Sequence, residues 1–86
     1  MPTREWPRWW HWDLVYSSHL LKRMVDRQFS DLDLRRMLDR ATRLREDVVD
    51  GRYVVETRHL YHPWEVIAEP DFEEELLLII TAYPLD

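Results

Sequence analysis

Three side chains that could handle a proton and a phosphate group lie four residues apart in the first third of the chain. His19, Arg23 and Arg27 have this spacing, and in a helix residues i and i+4 project from the same side. An imidazole titrates near neutral pH, and a guanidinium can bind two phosphate oxygens at once. The pattern favours phosphate-ester chemistry. In the alternative interpretation, His19 only hydrogen-bonds to the backbone where the helix begins.

Residues of the second half of the chain could complete such a site. Glu56 and Arg58 are two residues apart, so on a strand they share a face, where they could act as a carboxylate base and a phosphate clamp. Tyr83, near the end of the last predicted strand, could donate a proton. Arg27 and Arg35 are the predicted substrate-binding cations. In the structural alternative, Arg58 pairs with a carboxylate across the sheet, and Tyr83 is a core ring with a solvated hydroxyl.

The composition limits the kind of protein this is. The chain has 86 residues and no cysteine, so neither a disulfide nor a thiolate zinc site can support a small core. The longest uncharged apolar run, residues 76–83, is far shorter than the roughly 20 residues that span a bilayer. We expect one soluble, cytoplasmic domain with no membrane partner.

No metal or organic cofactor is expected either. His59 and His62 have a spacing found in some metal sites. On one continuous strand, however, the two imidazoles would face opposite sides of the sheet.

The charge is divided along the chain. Residues 19–45 carry eight Arg or Lys against four acids, whereas residues 46–86 carry eleven acids against two arginines. A basic half would suit RNA or an acidic partner, although the net charge of −5 is unfavourable for binding a phosphate backbone. The alternative is an arginine-rich helix that is simply solvated.

Tryptophans crowd the amino terminus. Trp6, Trp9 and Trp10 belong to an arm over residues 1–12, which precedes the domain predicted over residues 13–86. Exposed aromatic patches mark association surfaces, so these indoles need a cover. Either the chain's own helices cover them, or they form an interface with a second copy or another protein.

The hydrophobic pattern changes from helical to alternating near residue 45. Apolar residues at helical spacing, with N-caps at Ser17 or Ser18 and at Ser30, predict helices over about residues 18–28 and 31–43. Strands are predicted at 12–16, 52–60, 64–69 and 76–83, with a hairpin turn at Asp50 and Gly51. Short links favour antiparallel pairing, and the doubly apolar last strand is expected at the centre. The sequence predicts an α+β domain: two N-terminal helices on a three- to four-stranded antiparallel sheet, preceded by a short strand.

These motifs resemble a known group of proteins. The run Ser18-His19-x-x-x-Arg23-Met24-x-x-Arg27-x-Phe29-Ser30, a second helix and the closing Thr81-Ala82-Tyr83 are similar to a small domain-of-unknown-function family allied to the RelE, ParE and BrnT toxin-like proteins. The resemblance implies a microbial-ribonuclease-like fold and metal-independent cleavage of RNA as the ancestral activity. An antitoxin segment is one of the protein partners that could cover the tryptophans. Fold alone does not assign function.

Two functions therefore stand as expectations. The first is a toxin-like or toxin-derived ribonuclease of RelE-like type that acts on RNA without a cofactor. The second is a non-catalytic protein-interaction or dimerisation module that keeps the fold without the activity.

Overall fold

The computed structural model describes residues 6–85, which form two helices and one five-stranded sheet. In chain order the elements are a 3-10 turn (Arg8–His11), β1 (Asp13–Tyr16), α1 (Ser18–Asp26), α2 (Asp31–Asp39), β2 (Arg43–Glu46), β3 (Tyr53–His59), β4 (His62–Asp71) and β5 (Leu76–Pro84). The expected α+β class with two helices is confirmed. In the part of the chain that the structure describes, no helix has the length and apolarity needed to cross a bilayer.

Both helices begin at serine N-caps, as the sequence predicts. Ser17 accepts a hydrogen bond from the Leu20 N–H at 3.0 Å. Ser30 and Asp33 form a reciprocal capping box, in which the Ser30 N–H donates to the Asp33 carboxylate at 2.9 Å. This backbone hydrogen bond holds the pKa of Asp33 below its usual value. Local side-chain chemistry thus determines where each helix starts.

The second helix is shorter than predicted. It ends at Asp39, and residues expected to extend it to about 43 turn instead into β2. The backbone N–H of Thr42 already donates to the carbonyl of Glu56 at 2.8 Å, and Arg43 then pairs with Glu56 in the ladder. The hairpin partner of β3 is therefore β2. The loop around Gly51, which adopts a φ of 83°, is wider than the predicted tight turn.

The sheet has five strands and is mixed, so it does not match exactly the expectation of three to four antiparallel strands. The strand order is β1-β5-β4-β3-β2, with β1 parallel to β5 and the other pairs antiparallel. In the parallel pair, the short amino-terminal strand lies beside the last strand. In sequence, both helices and three strands separate the two. β5 is therefore an inner strand, but β4 occupies the centre.

One face of the sheet carries the core. The buried cluster combines residues of the 3-10 turn, both helices, the link between them and the three inner strands: Trp9, Leu20, Phe29, Leu34, Met37, Leu38, Val55, Trp64, Val66, Ala68, Leu77, Ile79 and Ala82. Thr57, on the same face, donates its hydroxyl hydrogen to the carbonyl of Met37 and so ties α2 to β3. The other side of the sheet, which we call the open face, carries neither helix.

A β-bulge in β5 decides which residues reach the core. Ile67 pairs with Thr81 while the next residue, Ala68, pairs with Ile79, so Ile80 is the extra residue. Because of this insertion, Ile79 and Ala82 both face the core although they are three residues apart. Tyr83 consequently lies on the open face. The hydroxyl of Ser17 donates to the carbonyl of Ile80 at 2.6 Å, which joins the bulge to the start of α1.

The two-residue turn between β3 and β4 has a strained backbone. Leu60 and Tyr61 have φ values of 51° and 69°, in the left-handed region. Hairpin turns with two such residues usually contain Asn and Gly, which adopt this region at little energetic cost. The two side chains are 70% and 93% exposed, so packing in the core does not explain why Leu60 and Tyr61 occupy the turn.

We predict that replacing this turn by Leu60→Asn and Tyr61→Gly stabilises the protein. Removing left-handed strain from the two residues should raise the free energy of unfolding by roughly 1 to 2 kcal/mol. Thermal unfolding followed by circular dichroism would measure the gain. As a matched control, Tyr61→Val places a β-branched residue in the same conformation and should lower the melting temperature. An Asn-Gly variant that melts no higher than the parent would contradict the strain.

Candidate functional site

Two of the α1 residues predicted to manage a proton and a phosphate are neighbours, with His19 exposed and Arg23 half-buried. His19 and Arg23 lie on the solvent side of α1, and the Arg23 Nε–H points to His19 Nε2 at 3.5 Å, the limit of a hydrogen bond. Together with Lys22 and Asp26 they line a shallow depression of about 280 Å³. The depression contains one carboxylate among its cations, and it is formed by α1 alone.

Two of the predicted sheet residues, Glu56 and Tyr83, belong to a separate cluster on the open face. Arg45 donates from Nε to Glu56 at 3.1 Å and from its terminal NH2 group to Glu65 at 3.0 Å. Tyr83 donates its hydroxyl hydrogen to the other oxygen of Glu65 at 2.7 Å. Arg43 lies 3.9 Å from Glu56. We call this set the open-face network, and both of its carboxylates already have cationic partners.

The two groups of predicted catalytic residues are on opposite sides of the sheet. α1 packs on the core face through Leu20, so the exposed side of α1 points away from the strands. Glu56 and Tyr83 alternate with core residues and therefore face the other way. No substrate phosphate can contact His19 and Glu56 at once. The structure joins His19 with Arg23, and Glu56 with Tyr83, but not the two pairs with each other.

The remaining predicted cations are dispersed. Arg58 is exposed at the end of β3, where its guanidinium points to the carbonyl of Tyr61 at 3.5 Å. Arg27 lines a cavity beside the β3–β4 turn. Burial, with a smaller effect of Asp31, raises the pKa of Tyr16. Arg35, exposed on α2, lies close enough to oppose this increase in pKa. These three arginines do not surround a common hollow.

Sequence reasoning missed Arg45 as the centre of the network. The hydrophobic pattern places residue 45 at the end of the helical region. In the structure, β2 instead places Arg45 beside Glu56 and Glu65. The alternation of Arg43 and Arg45 around the apolar Leu44 was the signal that could have revealed an edge strand with one charged face.

The network changes the acidity of one phenol. The hydrogen bond to the Glu65 carboxylate, with a smaller effect of burial, raises the pKa of Tyr83 to about 12. A negative charge beside the hydroxyl disfavours a second negative charge on the phenolate. Tyr83 therefore remains protonated at neutral pH and is engaged as a donor to Glu65.

The tryptophan arm folds back on the domain. Trp9 is only 4% exposed, and its ring packs against Tyr53 with centroids 4.9 Å apart. Trp6 stacks on Trp10 at 4.6 Å, and Trp10 also packs against the core. Trp9 thus serves the chain's own core. For Trp6 and Trp10, both half-buried, the interface role stays a prediction, and residues 1–5 of the predicted arm lie outside the described residues.

His59 and His62 lie on the same face of the sheet, so the prediction that they face opposite sides is wrong. The turn at Leu60 and Tyr61 places the two histidines on adjacent strands, directly opposite each other in the ladder, so they share a face. His59 packs edge-on against Trp64 at 5.4 Å. Among residues 6–85, no group of three or more His, Cys, Asp or Glu is arranged to hold a metal ion.

Two concave surfaces lie at opposite ends of β4. The acidic cleft, about 420 Å³, lies on the open face at the carboxyl end of β4, and its lining is Val15, Glu69, Pro70, Asp71, Phe72, Glu73, Leu76 and Leu78. The tryptophan cavity, about 680 Å³, lies at the amino end of β4, and its lining is Arg27, Gln28, His59, Leu60, His62, Pro63, Trp64, Pro84 and Leu85. Both volumes are in the range of natural ligand sites.

We predict that Glu65→Gln lowers the pKa of Tyr83 from about 12 towards the ordinary tyrosine value. Glutamine can accept the same hydrogen bond but lacks the charge that disfavours phenolate. NMR of labelled tyrosine rings during an alkaline titration would measure the shift, with the exposed-site variant Glu74→Gln as control.

The same change has a consequence for stability. The pKa of Tyr83 is higher in the folded protein than in the unfolded chain. The stabilisation of the folded state that this difference provides is therefore complete below about pH 10 and is lost as the pH rises through about 12. The Glu65→Gln variant should lose less stability than the parent over this interval. An unchanged Tyr83 titration would mean that Glu65 does not control the phenol.

Comparison of the chain with protein-family models, with curated proteins and with solved structures finds no significant match. The geometry of the described residues is therefore the basis for assigning a function.

Proposed function

We propose that this protein is a non-catalytic interaction module whose acidic cleft binds a basic, apolar segment of a partner protein. The observation that carries this proposal is the make-up of the cleft. Val15, Leu76 and Leu78 form an apolar floor on β1 and β5, and carboxylates stand at its rim. Because neither helix lies on the open face, this floor is accessible from solvent.

The apolar part of the cleft includes two exposed side chains. Phe72, at the β4–β5 connection, is 57% exposed, and Val15 on β1 is 38% exposed. The ring of Phe72 packs edge-on against Trp12 at 5.5 Å, which holds it beside the cleft. Exposed aromatic and aliphatic side chains grouped at a concavity are typical of association surfaces.

The negative charges at the rim of the cleft indicate that the partner segment carries positive charge. Asp71 and Glu73 form no ion pair with Arg or Lys among the described residues, whereas Glu69 is paired with Arg52 at 3.0 Å. Asp71 instead accepts hydrogen bonds from the backbone N–H groups of Glu73 and Glu74 at 3.0 and 3.2 Å. The lining contains three acids and no base. A segment with Lys or Arg next to apolar side chains therefore complements the cleft.

Three observations support a binding role over RNA cleavage. The predicted proton-transfer groups lie on opposite sides of the sheet, the carboxylates of the open-face network are neutralised by arginine, and the Tyr83 proton is held by Glu65. The open face also contains acids, which would repel a phosphate backbone. In this proposal, descent from the RelE, ParE and BrnT toxin-like proteins would explain the architecture without requiring their chemistry.

We propose metal-independent RNA cleavage as the second candidate, and one contact favours it. His19 and Arg23 are adjacent and accessible, with Lys22 in the same depression. An imidazole and a guanidinium are the groups that a cleavage site for a phosphodiester uses for proton transfer and charge stabilisation. In this case the α1 surface would act without the sheet residues.

We predict that a short amphipathic peptide of Lys and Leu binds the protein more tightly than its Glu and Leu counterpart. The double variant Phe72→Ala with Glu73→Lys should weaken Lys/Leu binding about tenfold, since it removes apolar contact and reverses a rim charge. Fluorescence anisotropy of the labelled peptides would measure both affinities. Val48→Ala, which truncates an apolar side chain that is 99% exposed, is the control. Equal binding of both peptides, or an unaffected double variant, would overturn the proposal.

We also predict that purified protein leaves RNA intact in the presence of a chelator. The measurement is gel analysis of a mixed RNA substrate, with parallel samples of His19→Ala, Arg23→Ala and the control Arg40→Ala. Cleavage by the parent that is lost in the first two variants and kept in the third would support the second candidate and contradict a non-catalytic module. Cleavage that persists in all samples would identify a contaminating nuclease.

A further inference from the structure

We propose that the tryptophan cavity is a binding site for a small aromatic anion, a planar ring that bears a carboxylate, phosphate or sulfonate group. This site is independent of the acidic cleft, because the two lie at opposite ends of β4. Either site could therefore fail its test without affecting the other.

The apolar part of the cavity fits a ring. Trp64 forms the floor and is 6% exposed, and its ring makes edge-on contacts with Phe29 and His59, each with centroids 5.4 Å apart. Leu60 and Leu85 lie at the sides, 70% and 39% exposed. The floor is thus fixed by the core, while the side walls present apolar surface that water does not solvate well.

The polar part of the cavity fits an anion. Arg27, Gln28, His59 and His62 line it, and among residues 6–85 no carboxylate does. Asp33 is near enough to His59 for the imidazole to affect its pKa, but its carboxylate is held by Ser30 and does not line the cavity. All four polar lining groups can donate hydrogen bonds, and Arg27 is always charged. This lining is opposite in character to that of the acidic cleft.

Backbone strain concentrates at this cavity. Four non-glycine residues among those described have positive φ: Gln28, Leu60, Tyr61 and Glu75. The first two line the cavity, and the third is the other residue of its turn. Strained residues persist at functional sites, where a side chain is needed in a conformation that glycine would adopt more easily. At residue 60 the side chain supplies an apolar wall, which Asn or Gly would not provide.

The test uses a matched pair of fluorescent probes. The anion 8-anilinonaphthalene-1-sulfonate and the neutral N-phenyl-1-naphthylamine share the same rings and differ by the sulfonate. Arg27→Gln should weaken binding of the anion about fivefold or more, because it removes a charge-assisted hydrogen bond. It should leave binding of the neutral probe unchanged. Arg40→Gln removes an equal charge from an exposed position outside the cavity and should change neither.

Further arms locate the probe and define its chemistry. Binding should shift the NMR signal of the Trp64 indole N–H, assigned with Trp64→Phe, whose retained fold is checked by circular dichroism. Phenyl phosphate or phenylacetate should displace the anionic probe, and inorganic phosphate should not. Three results would overturn the proposal: equal weakening of the binding of both probes by Arg27→Gln, a Trp64 signal that does not shift, or displacement of the anionic probe by inorganic phosphate.

Discussion

The extra residue in the last strand is the constraint on which the two faces of the molecule depend. β5 reads Leu-Leu-Leu-Ile-Ile-Thr-Ala-Tyr, with no polar residue before Thr81 to define its phase. The bulge at Ile80 turns Ala82 into the core and Tyr83 onto the open face. A strand without the bulge would place Tyr83 under the helices and leave Glu65 without its hydroxyl donor. The core and the open-face network are thus determined by the same insertion.

The open face illustrates how a sheet can remain uncovered by helices. Val54 and Ile67 lie on this side and are only 3% and 8% exposed, although both are outside the core cluster. The long side chains of the network and of the Arg52–Glu69 pair occupy the same side, so their aliphatic stems can cover apolar strand residues while their charged ends stay solvated. Where these charges give way to Leu76 and Leu78, the acidic cleft begins. The boundary between a solvated surface and a binding surface is therefore set by side-chain length and charge.

Local features were predictable from the sequence, and long-range features were not. The caps at Ser17 and Ser30 and the alternation of β3 depend on neighbouring residues, so the pattern determined them. The parallel pairing of β1 with β5 depends on residues about sixty positions apart, which no local pattern encodes. The predicted site residues are divided between two places for the same reason: a local pattern shows which residues share a face within α1 or β3, but not to which side of the sheet each element belongs. His59 and His62 show the same effect over a short distance. The two-residue turn between them places both side chains on one face of the sheet, whereas a continuous strand would place them on opposite faces.

The parallel pairing of the first strand with the last has a consequence for how the chain folds during synthesis. Asp13 pairs with Leu76, and the Ser17 hydroxyl reaches the Ile80 carbonyl 63 positions later. Contacts between such distant segments are slow to form, because a long loop must close first. The amino-terminal strand must wait until residues 76–79 have been synthesised before its partner exists. Until then the indole of Trp9 has no complete core to enter, so this apolar side chain stays exposed while the later strands are being made.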